Sequence, residues 1–100
     1  MKLIDTINLM DSDDFKDRFR AEYFQLDNRI NGLYNMLEKY RKGTLNFTPK
    51  CDIKTLDAQL TAMIQYRKLL VFRAQLENID LTEPVEIVEE NVVLEEEVDQ

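Results

Sequence analysis

Eight apolar side chains, Phe15, Phe19, Tyr23, Leu26, Ile30, Leu33, Leu37 and Tyr40, follow one another at intervals of 4, 4, 3, 4, 3, 4 and 3 residues. Intervals of three and four return a side chain to the same face of an α-helix, so the run predicts a single long helix with a heptad-like seam. The Asn31–Gly32 pair inside it would turn a hairpin between two strands, but its flanks do not alternate as strands do, and the helical period passes through it. Gly32 weakens such a helix by about 1 kcal/mol relative to alanine, which a bend or a close helix contact would explain.

Both ends of the run carry stop signals. Asp11, Ser12, Asp13 and Asp14 offer N-caps and negative charge to the positive end of the helix dipole. Gly43 is a C-cap, preceded by Lys39, Arg41 and Lys42 at the negative end. The expected helix, about 13–42, is roughly 45 Å long at 1.5 Å per residue. After a connector of about eight residues, Asp52 caps a second helix, about 52–77, which Asn78 closes.

The second helix is apolar on two faces. Ile53, Leu56, Leu60, Met63, Leu70 and Ala74 form one, and Ala62, Tyr66, Leu69, Phe72, Leu76 and Ile79 form the other. Two long helices on a short connector fold into an antiparallel hairpin, which covers only one of these faces. The other needs the N-terminal segment 1–12, where Leu3, Ile4, Ile7 and Met10 allow a short amphipathic helix, or a second copy of the chain. The expected architecture is all-α, a helical hairpin at 13–82 that forms homo-oligomers through Tyr66, Leu69, Phe72 and Leu76, followed by an acidic and largely irregular tail at 83–100.

Charge divides the chain in the same way. Met1 to Thr82 holds 13 basic and 12 acidic residues, whereas Glu83 to Gln100 holds 8 acidic and none basic, so the net charge of -7 belongs to the tail. A nearly neutral body lacks the phosphate-neutralising face that general duplex nucleic-acid binding requires. The tail reads as a solvated segment or, more specifically, as a nucleic-acid mimic that occupies a basic groove on a partner. A single cysteine, Cys51, forms no internal disulfide, and the absence of an apolar leader core or an 18-residue apolar run points to a reducing cytoplasm and away from a membrane.

Several chemistries are missing. With no histidine there is no histidine base, triad or metal ligand, and two glycines do not make a phosphate-cradling loop. No enzyme, metal or cofactor is expected. What remains is the connector, where Tyr40, Arg41, Lys42, Phe47 and Lys50 gather aromatic and basic groups, with Arg67 and Arg73 further along the second helix. Such a set can stack on a base and neutralise a phosphate. The same residues also serve to cap the hairpin core and the helix dipole, and the sequence leaves both roles open.

The run Phe15-Lys16-Asp17-Arg18-Phe19-Arg20-Ala21-Glu22-Tyr23, with Leu26, Arg29, Leu33 and Met36-Leu37-Glu38-Lys39-Tyr40, resembles a family of small phage and prophage helical proteins named after a gene product of a crAss-like phage. The connector Gly43–Cys51 and the pattern Gln59-Leu60-Thr61-Ala62-Met63 followed by Tyr66, Leu69 and Arg73-Ala74 are similar to that family too, so the likeness spans about 14–81. It departs at Asp52, where a proline is usual, and at Asn78, where a glycine is usual; both replacements keep the capping chemistry. The resemblance implies a non-enzymatic accessory protein. By analogy of fold with compact helical oligomers that hold cyclic nucleotide signals between subunits, it implies counter-defence by sequestration of a cyclic oligonucleotide. The alternatives are an inhibitor that occupies a host defence protein through its apolar helix face or acidic tail, and a virion or assembly component.

Overall fold

A computed structural model describes residues 1–83 of the chain, and the acidic-tail expectation falls almost entirely outside them. The described residues are helical, in the order of a 3-10 turn at Leu3–Thr6, a single α-turn α1 at Ile7–Met10, and two long helices, α2 at Phe15–Lys42 and α3 at Ile53–Glu77. No strand occurs among them.

The caps work as their residue types require. Asp14 accepts from the Lys16 N–H at 2.9 Å and begins α2. Gly43, at φ 75°, ends it: its N–H donates to the Tyr40 carbonyl at 3.1 Å and that of Thr44 to the Lys39 carbonyl at 2.9 Å. This pair of bonds is the Schellman arrangement, which needs a left-handed residue and so favours glycine. Asp52 caps α3 by accepting from the Thr55 N–H at 3.1 Å and its hydroxyl at 2.8 Å. Asn78, at φ 56°, is a left-handed C-cap after which the Ile79 N–H reaches back to the Ala74 carbonyl at 2.9 Å.

The two helices run antiparallel, with cross-links that pair ever later residues of α3 with ever earlier ones of α2. Arg41 meets Asp57, Arg67 meets Asp27 at 2.5 Å, and the Arg73 guanidinium lies 4.9 Å from the centre of the Phe19 ring. Between these cross-links Phe19, Leu26, Ile30 and Leu37 of the α2 seam pack on Leu60, Leu70 and Ala74 of α3. Phe15 and Tyr40, the two ends of the seam, are exposed because α3 and its flanks do not cover the hairpin's tips. Ile79 departs from its expected place on the outer face. The left-handed turn at Asn78 swings it out of the helical period, and it is buried in the hairpin core.

The N-terminal segment is helical from Leu3 to Met10, but its apolar positions are not the ones that it buries. Leu3, Ile4, Ile7 and Met10 all stay exposed, and the buried residue is Thr6. Its hydroxyl donates to the Leu3 carbonyl at 2.7 Å and accepts from Gln25 Nε2 at 2.9 Å, while Asn28 Nδ2 donates to the Met1 carbonyl at 3.3 Å. The segment thus docks by polar contacts on a second face of α2, over Ala21 and Phe24, and not on α3. Among the described residues, the outer face of α3 is uncovered. No helix there is long and apolar enough to cross a membrane.

Candidate functional site

The turn that ends α2 also builds a concavity. From Gly43 the chain folds back along the last turns of α2, and a cavity of about 440 Å³ opens between Gly32, Asn35, Met36 and Lys39 of the helix and Thr44, Leu45, Asn46 and Phe47 of the connector. The four helical residues share one face because their spacing is three or four. Small-molecule sites begin at roughly 300 Å³, so its volume falls in the range of such sites.

Its lining combines four chemistries. Asn35 and Asn46 each carry a donor and an acceptor, the pair of functions needed to read a base edge. Lys39 is an exposed ammonium that makes no ion pair among the described residues. Phe47 is 54% exposed and offers an unused ring face, and Met36 and Leu45 supply the apolar floor. Locally the charge opposes that of the whole chain: from Glu38 to Asp57 there are five cations and three acids, in a protein of net charge -7.

Of the two explanations expected for Gly32, the close helix contact is absent. Alpha-2 runs through it, and a Cβ built there meets nothing within 4 Å, so no close helix contact demands a glycine. Its φ is not left-handed either. The missing side chain leaves open space at the wall of the cavity.

Of the residues expected to touch a ligand, the structure brings Phe47 into the cavity. Tyr40, Arg41, Lys42 and Lys50 lie exposed around the same end of the hairpin. Arg41 is held by the Asp57 carboxylate, whose hydrogen bond and charge raise its already high pKa. Arg67 and Arg73 are elsewhere. Arg67 is bonded to Asp27 in mid-hairpin, and Arg73 pairs with Glu77 at 3.5 Å and stacks on Phe19 at the opposite end, about 30 Å along α3 from the connector at 1.5 Å per residue. Sequence reasoning missed Asn35, Met36, Lys39, Thr44, Leu45 and Asn46 as a group. The available signal was the i, i+3, i+4, i+7 spacing of Gly32, Asn35, Met36 and Lys39, off the seam and beside the connector.

Among known proteins, no curated protein and no solved structure matches this chain. One family does, described as Sequestin, whose model matches residues 13–76. The matched span begins at the caps of α2, takes in the connector and the cavity, and ends one residue short of the end of α3; it starts one residue before the likeness read from the sequence motifs and stops about five residues before its end. It covers more than half of the chain, and the protein belongs to the Sequestin family.

Proposed function

We propose that this is a phage or prophage protein without catalytic activity, which assembles into homo-oligomers and counters host defence by sequestering a cyclic oligonucleotide signal. The family's name supports a sequestering role. The observation that carries the ligand class is the connector cavity, where one cation, two carboxamides and an exposed phenyl ring converge around a volume in the small-molecule range. Lys39 neutralises a phosphate, Asn35 and Asn46 read a base edge, and Phe47 stacks on the base. Arg41, Lys42, Lys50 and Tyr40 surround the opening and attract the remaining phosphates. Each chain brings its own cavity, so Arg67 and Arg73 are not required from a second subunit.

Isothermal calorimetry against cyclic dinucleotides, cyclic trinucleotides and cyclic ADP-ribose isomers tests the reading. Binding of at least one at one site per chain, weakened about tenfold or more by Lys39→Ala or Phe47→Ala, is the expected result. Absence of heat and of thermal stabilisation across the panel sinks it. A second reading is favoured by the exposed apolar face of α3, which an inhibitor of a host defence protein would use. There Leu69→Glu abolishes activity against the host system while Lys39→Ala leaves it intact, the reverse of the pattern expected for ligand capture by separate cavities.

A further inference from the structure

The outer face of α3 carries a pattern longer than its four large side chains. Ala58, Ala62, Gln65, Leu69, Phe72 and Leu76 recur at intervals of 4, 3, 4, 3 and 4, and all six are exposed. This is a complete heptad seam with no charge in it. Leu69, Phe72 and Leu76 are 62%, 57% and 68% exposed. With Tyr66 they present on the order of 400 Å² of apolar surface, a patch of the size that marks interaction sites on soluble proteins. The N-terminal turns pack on α2, so nothing among the described residues covers it.

The seam is graded in size. Its first two members are alanines and its last two are Phe72 and Leu76. Laid antiparallel on a second copy about a two-fold axis near Arg67, Ala58 faces Leu76, Ala62 faces Phe72 and Gln65 faces Leu69. Every small residue then meets a large one, as close packing requires. A parallel pair would set alanine on alanine at one end, leaving voids, and crowd phenylalanine on phenylalanine at the other. Of the flanking charges, Arg73 is engaged by Glu77 and Phe19 of its own chain, and only the two Lys68 side chains come together at the rim of the antiparallel pair.

We propose that α3 is a self-complementary docking surface for a second copy of this chain, forming an antiparallel two-fold dimer through the Ala58–Leu76 seam. This rests on the oligomer in the functional reading above and not on its ligand. The axis near Arg67 sends the two connectors to opposite ends of the dimer, so the two cavities lie far apart and open separately.

Cysteine cross-linking of the full chain in a Cys51→Ser background reads the register. Oxidation of a mixture of Ala62→Cys and Phe72→Cys chains gives the mixed disulfide dimer. Ala62→Cys alone gives none, because residues 62 and 72 are about 15 Å apart along a helix and a disulfide needs Cβ atoms within about 4.5 Å. Leu69→Glu raises the dissociation constant of the dimer by about tenfold or more in sedimentation equilibrium, with the helical circular dichroism unchanged. A self-bridging Ala62→Cys dimer, a dimer in which neither bridge forms, or a chain that light scattering finds monomeric at high micromolar concentration overturns the proposal. The nucleotide screen reads the cavity in either case, so the two failures are told apart.

Discussion

Gly32 shows how much a single residue can reveal when its ordinary justifications are absent. A mid-helix glycine costs about 1 kcal/mol relative to alanine, and here neither a left-handed φ nor a neighbouring backbone requires it. Gly32→Ala is therefore expected to stabilise the fold by about 1 kcal/mol, seen as a higher melting temperature, since its methyl group meets open space. The same methyl projects at the cavity wall, so the proposed nucleotide binding is expected to weaken while stability rises. A variant that is more stable and binds unchanged would remove Gly32 from the site. Asp52 makes a second residue-scale prediction. The Thr55 hydroxyl and then the Thr55 N–H lower its pKa from 3.8. For a carboxyl whose folded pKa is depressed, the stabilisation is present above the unfolded value and is lost as pH falls through the folded one. Asp52→Asn keeps an N-cap but not that titration. The melting temperatures of wild type and Asp52→Asn, which differ in favour of wild type at neutral pH, converge as pH falls below about 4.

At the scale of elements, α2 serves two interfaces at once. One face, Phe19 through Leu37, is the heptad seam against α3, and a second carries Ala21 and Phe24, which the N-terminal turns cover. Those turns have only eight helical residues between them, too few to persist without tertiary contacts. Their anchor is polar: buried Thr6 and Gln25 at 2.9 Å. Gln25→Ala leaves the Thr6 hydroxyl without its donor and uncovers Phe24. Hydrogen exchange at residues 5–12 should then accelerate about tenfold, while amides in the middle of α2 and α3 keep their protection, because the hairpin core does not include the segment. Unchanged exchange would show that apolar cover alone holds the turns.

For the molecule as a whole, the division of labour follows from topology. The hairpin spends one face of each long helix on its core and closes α2 with a turn that hollows out the connector cavity. The outer face of α3 is left uncovered among the described residues. If the copies pair antiparallel through that face, disrupting the pair leaves each cavity intact. Leu69→Glu is accordingly expected to hold nucleotide affinity within about twofold by calorimetry while the mass in light scattering halves. A loss of both together would mean that the ligand is held between subunits.

The helices themselves were legible in the sequence. The seam from Phe15 to Tyr40 and the caps Asp14, Gly43, Asp52 and Asn78 are local features, set by a 3.6-residue period and by which residues tolerate a left-handed φ or accept from free N–H groups. The observed bounds, Phe15–Lys42 and Ile53–Glu77, follow directly from them. The N-terminal stripe is helical, as its spacing allows, but periodicity reports a shared face and not which neighbour that face meets: Leu3, Ile4, Ile7 and Met10 are exposed. Ile79 moved from the outer face to the core because one left-handed residue resets the helical phase. The basic and aromatic candidates were dispersed for a related reason, since residues on one helix that lie several turns apart in sequence are as far apart in space, and Arg67 and Arg73 found partners on α2. Local sequence determined the elements and their ends; only tertiary packing decided which faces stayed open and which residues of α2 the returning connector enclosed.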